Sequence, residues 1–116
     1  MIGIENPEDR TVIGIYCHSD GYPEGVLKIL KGHYTSEAKV RELMTLGDIS
    51  SLGKDIGVPH NFDDGNFDVC RSYSRDRGES DTEAKAYLNL AAFLAAEYGQ
   101  PYSYLFSNGQ WRQVSK

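Results

Sequence analysis

Apolar positions at the start of the chain fall in two short stretches, 1–4 and 11–17, with turn chemistry (Asn6-Pro7-Glu8-Asp9) between them. The second is rich in β-branched residues, and the pair predicts an opening β-hairpin. Beyond a polar interruption the period lengthens. Val26, Leu27, Ile29 and Leu30 suit a helix that Pro23 starts, since its missing N–H costs little there, and that Gly32 ends. Thr35 or Ser36 caps a second short helix carrying Val40, Leu43, Met44 and Leu46 on one face, stopped by Gly47. Residues 48–53 alternate small polar groups with isolated apolar anchors and read as a packed loop. Residues 54–66, with Pro59, His60, Asn61, Asp63 and Asp64, read as a loop or insertion, with an insertion and a mobile lip both open as readings.

Partial alternation over 67–73 predicts a half-exposed strand. Asp81 or Thr82 then caps the longest predicted helix, 83–98, with Ala84, Tyr87, Leu88, Ala91, Ala92, Leu94, Ala95 and Tyr98 as a broad stripe. Gly99 and Pro101 stop it. The last apolar runs, 102–106 and 111–114, flank Asn108-Gly109, a strong hairpin signal. The expected fold is therefore α+β. It is an antiparallel sheet of four or five strands with one long and two short helices packed on one face, in a single compact domain over 1–116.

A length of 116 residues supports one hydrophobic core and not two comfortable domains. The net charge of −5 disfavours a broad grip on a phosphate backbone, so nucleic acid is an unlikely partner. Cys17 and Cys70 have no C-x-x-C spacing and suit two reduced, buried thiols. With no 18-residue apolar run and no basic-then-apolar leader, the expectation is a cytoplasmic chain with no membrane span.

Two polar blocks carry the candidate chemistry. The first, His18-Ser19-Asp20-Gly21-Tyr22-Pro23-Glu24-Gly25, and the second, Ser74-Arg75-Asp76-Arg77-Gly78-Glu79-Ser80, each sit at a predicted strand-to-helix junction. Together they suggest one composite surface of His18, Asp20, Tyr22, Glu24, Arg75, Asp76, Arg77 and Glu79. His18, Asp20 and Glu24 are types that bind Zn, Mn or Fe, but a sequence-local trio is weak evidence, and no metal or cofactor is expected. A catalytic reading makes His18 a general base oriented by Asp20 or Asp76, with Arg75 or Arg77 facing an anionic transition state; no G-x-S-x-G, Walker A or dinucleotide glycine pattern accompanies it. The structural reading has Asp20 bonding turn amides while the arginines pair with Asp76, Glu79 or Glu24. Whether a reaction is catalysed stays open at this level. So does the choice between a homodimer and a monomer, because the aromatic residues of the last hairpin serve either.

Residues 16–26, Gly47-Asp48-Ile49-Ser50-Ser51-Leu52-Gly53, Arg75-Asp76-Arg77-Gly78-Glu79, and Tyr102-Ser103-Tyr104-Leu105-Phe106 with Trp111 resemble a widespread family of small, uncharacterised phage and prophage proteins. The resemblance covers most of the chain and implies a phage or mobile-element origin, with no catalytic assignment. The expected function is an accessory protein that binds a host macromolecule, in the first place a host protein, and inhibits a defence or regulatory system. The alternative is a small-molecule or nucleotide-binding enzyme, hydrolase-like, with a His/Asp/Arg site.

Overall fold

A computed structural model describes residues 1–18, 23–96 and 102–115. The opening hairpin forms as the sequence predicts, β1 (Ile2–Glu5) running antiparallel to β2 (Val12–Ile15). The last hairpin forms too, from β6 (Ser103–Ser107) and β7 (Gln110–Val114). Asn108 and Gly109, at φ 52° and 78°, supply the left-handed pair that a two-residue connection requires.

The sheet that these hairpins build is mixed, and the expected all-antiparallel sheet is overturned. Its order is β5 (Lys85–Tyr87), β2, β1, β6, β7, and β1 pairs with β6 in parallel, Ile2 opposite Tyr104 and Ile4 opposite Phe106. Only local sequence links the strands of each hairpin, and the orientation in which two hairpins dock is a tertiary choice that neither turn encodes.

Four α-helices stand among the described residues instead of three, and none is long. A π-helical turn over Pro23–Leu27 leads into α1 (Lys28–His33), which passes through Gly32 without stopping. Helix α2 (Glu37–Thr45) matches expectation. Ser36 caps it by accepting the Lys39 amide, Val40, Leu43 and Met44 are buried, and Gly47 follows at φ 69°. Residues expected in a loop form β3 (Ile49–Ser51), which pairs with β4 (Arg71–Ser72) as a separate two-stranded sheet. The strand expected over 67–73 is thus only two residues long, because α3 (Tyr73–Arg77) begins directly after it with Ser72 as its cap.

The predicted long helix is replaced by two elements. Lys85–Tyr87 form β5, which takes the open edge of β2 with Tyr87 opposite Val12, and only Leu90–Leu94 form a helix, α4, capped by Asn89. Pairing with an unfilled sheet edge satisfies backbone groups that a free helix would have satisfied internally, and here it overrides the alanine-rich propensity. The expected end of that helix, at Tyr98, Gly99 and Pro101, lies outside the described residues.

Both faces of the large sheet are covered, not one. Ile2, Ile4, Ile15, Tyr104, Phe106 and Trp111 pack with α1, α2 and β3 on one side; Val12, Leu105 and Val114 pack with Phe93 of α4 on the other. Gly3 and Gly14 are cross-strand partners beneath the Phe93 ring. A Cβ on Gly14 would stand 2.5 Å from Phe93 Cε1, so the missing side chains make the slot that lets α4 approach.

Candidate functional site

The first polar junction grows out of the end of β2. Cys17 bridges to Ile49 in parallel; the Ile49 amide donates to Tyr16 O at 2.8 Å, and the His18 amide donates to Ile49 O at 3.0 Å. The second junction leaves the same strand on its other side, where Ile49 pairs with Ser72 and the Tyr73 amide donates to Asp48 O. Strand β3 therefore stands between His18 on one side and the start of the second block on the other.

His18 is exposed, its Nδ1 2.8 Å from Tyr16 Oη, with the rings edge-on. Below it, Asp48 accepts the Tyr16 amide at 2.9 Å; burial raises the Asp48 pKa, and that amide bond opposes the rise. Glu24 is exposed on the π-helical turn. Asp20 and Tyr22 lie outside the described residues.

At the second junction the charged groups face the protein itself. The Arg75 guanidinium donates to the carbonyls of Ile56 (2.8 Å), Gly57 (3.3 Å) and Cys70 (2.8 Å), and grips Asp76 from Nε at 2.9 Å and Nη2 at 3.0 Å. The Asp76 side chain is fully buried and also accepts the amides of Ser72 (2.8 Å) and His60 (3.2 Å). Burial pushes its carboxyl up, but the Arg75 bonds and the two amides outweigh that and hold it below the usual range. Arg77 pairs with Glu79 and lies over the rings of Phe62 and Tyr73, 4.5 and 5.1 Å from their centroids.

Arg75 and Asp76 thus clamp the long 52–70 connection between β3 and β4, whose one ladder contact is the Asp55–Val69 bridge. Among the described residues they bond to this segment and to β4, and not to His18. The composite His18/Arg75/Asp76 arrangement is therefore not assembled there. No group of three or more His, Cys, Asp or Glu side chains suited to hold a metal occurs among the described residues.

The residue that sequence reasoning missed is His60. Its ring sits between Asp64 and α3, with Nδ1 2.7 Å from Asp64 Oδ2 and Nε2 3.0 Å from Cys70 O. A signal was present in the His60/Asp64 spacing of four, but reading 54–66 as a loop, an insertion or a mobile lip left no reason to seek a latch inside it.

An apolar depression of about 510 Å3 lies on the far face of the sheet, lined by Leu90, Ala91, Leu94, Ala95 and Ser115. Leu88, 77% exposed, stands at the entrance to the same helix. No described helix is long and apolar enough to cross a membrane. Comparison with protein-family models, curated proteins and solved structures returned no match.

Proposed function

We propose that this is a binding protein of phage or mobile-element origin that engages a host protein in the cytoplasm and inhibits a defence or regulatory system. The origin rests on the sequence resemblance. The observation that carries the binding class is the division of the surface. Arg75 and Asp76 of the second junction are spent on the protein's own loop and Arg77 pairs with Glu79, while α4 borders an apolar depression with an exposed leucine beside it. An acidic chain of net charge −5 favours a basic partner and hastens its encounter.

The test is capture from host lysate with the folded protein as bait, compared with Leu88→Glu and Ala91→Glu, both exposed positions whose substitution leaves the core intact. A saturable partner that both variants lose, at unchanged thermal stability, is the expected result. Retention of that partner by both variants, or no partner at all, contradicts it. Sedimentation of the protein alone separates a second copy of this chain from a foreign partner.

One contact favours a second reading, a small-molecule enzyme of hydrolase type centred on His18. The Tyr16 hydroxyl meets His18 Nδ1 at 2.8 Å on an exposed edge, which orients the imidazole with Nε2 left for a substrate proton. A metabolite screen in which His18→Ala loses turnover with folding unchanged would replace the binding proposal by this one.

A further inference from the structure

Both ring nitrogens of His60 point at oxygen acceptors. On one side stand Asp64 Oδ2 at 2.7 Å and Asn61 O at 3.1 Å from Nδ1; on the other, Cys70 O at 3.0 Å and Asp76 Oδ2 at 3.4 Å from Nε2. A carbonyl or an ionised carboxylate can only accept, and neutral imidazole has a single N–H. Either neutral tautomer therefore turns one nitrogen lone pair toward oxygen lone pairs, in a site where the His60 side chain is only 14% exposed. Imidazolium satisfies both sides at once.

We propose that segment 54–70 is a proton-held flap, closed over β4 and α3 while His60 carries both ring protons and released when it loses one. The groups around the switch are Asp64 on the flap itself, Asp76 and Arg75 on α3, and Arg71 on β4, whose Nη2 lies 3.6 Å from Asp64 Oδ1.

Three features make the segment suited to opening as a unit. It has no helix or strand of its own, and its Val58 and Phe67 side chains are 73% and 71% exposed; its apolar anchoring in the core is confined to the two ends, where Ile56 packs against the core and Cys70 is enclosed in it, so the ends act as hinges and the stretch between them carries little apolar burial. Between those ends its grip on the body is mostly polar: Arg75 on the Ile56 and Gly57 carbonyls, Lys39 on Lys54 O at 2.9 Å, and the His60 bonds, with the Phe62 ring against Tyr73 as the apolar contact. The closed form also stores a cost. Arg71 Nε and Nη2 are buried without a hydrogen-bond partner beneath Phe67, whose ring centroid is 4.6 Å from the guanidinium carbon, and opening lets water reach them. Release parts Arg71 from Asp64 and frees Arg77 from Phe62, while Arg75 keeps Asp76 and Arg77 keeps Glu79, so the patch gains one unpaired positive charge.

The Cys70 carbonyl is the largest cause of a raised His60 pKa; partial burial pulls it down, and the Asp64 and Asp76 carboxylates add to the rise. The protonated form is the bonded one. Its contribution to closure is therefore complete below the ordinary histidine value of about 6.5 and is lost as pH rises through the higher folded value, by up to about tenfold in the opening equilibrium per pH unit.

The deciding experiment is amide hydrogen exchange of the full chain from pH 5 to 9, on the order of the histidine range, with rates corrected for intrinsic chemistry. Peptides from 54–70 are compared with peptides from β6 and β7. Expected is a loss of protection across 54–70 as pH rises, with the strands unchanged, and its absence in His60→Gln, whose flap exchanges fast throughout. Asp64→Asn, an exposed change, moves the transition to lower pH. Nitrogen-15 spectra of wild-type His60 report the same event without any variant, both ring nitrogens being protonated until the transition. Equal protection of flap and strands at every pH, an unshifted transition in Asp64→Asn, or a singly protonated His60 below the ordinary value overturns the proposal.

Discussion

Arg75 shows how much a single side chain is asked to hold. Its guanidinium joins three main-chain carbonyls to a fully buried carboxylate. Arg75→Ala leaves Asp76 buried with its amide partners and with only His60, 3.4 Å away, as a counter-charge, and we expect a loss of about 3 kcal/mol in urea unfolding, in line with breaking a buried pair. Arg75→Lys recovers only part of this, because one ammonium cannot span the forked acceptors. Of this arrangement the sequence displayed the polar block at 74–80 and its internal pairing. The carbonyls of Ile56, Gly57 and Cys70 were illegible there, since a main-chain acceptor has no residue signature. At the first junction, His18 and Glu24 are placed, and it was Tyr16, an apparent strand residue, that supplied the hydroxyl against His18.

Elements whose definition is local were legible, and elements defined by distant partners were not. Ser36 with Val40, Leu43 and Met44 contains all of α2, and Asn108-Gly109 contains the last turn. By contrast, residues 84–98 display a helical stripe, yet β5 and α4 arise there because β2 offers an edge and because Gly3 and Gly14 leave a slot for Phe93. This account of α4 makes two linked expectations. Gly14→Ala forces a methyl against Phe93 and costs about 1–3 kcal/mol, whereas Phe93→Ala empties the slot and costs about 3–5 kcal/mol. In the double variant the clash has nothing to meet, so the two costs measured by denaturant unfolding fall short of adding. Strict additivity would mean that the ring does not rest on Gly14.

For the whole molecule, the carboxylates act on stability with opposite signs. Asp76 is held below its ordinary pKa, so its contribution is present above the unfolded carboxylate value and is lost as pH falls through the folded one. Asp48, raised by burial, behaves inversely. Its contribution is greatest in acid and is lost as pH rises through its folded value. Denaturant midpoints followed over about pH 3 to 6 should therefore depend less on acid in Asp76→Asn than in the wild type. In Asp48→Asn, whose side-chain oxygen still accepts the Tyr16 amide, the acid loss should steepen. A common direction for both variants would refute the assignment of the two environments.

At the same scale stands the division of labour on which the functional reading depends. The charged junction locks a loop, and the proposal assigns partner binding to the apolar depression along α4, on the opposite face of the sheet from α1 and α2. The most direct measurement is a hydrogen-exchange footprint of the partner complex on this chain. The account predicts slowed exchange over residues 88–95, with 54–77 and the neighbourhood of His18 unchanged. Protection concentrated at 16–18 and 71–77, with 88–95 unaffected, would contradict it and return the function to the polar junctions.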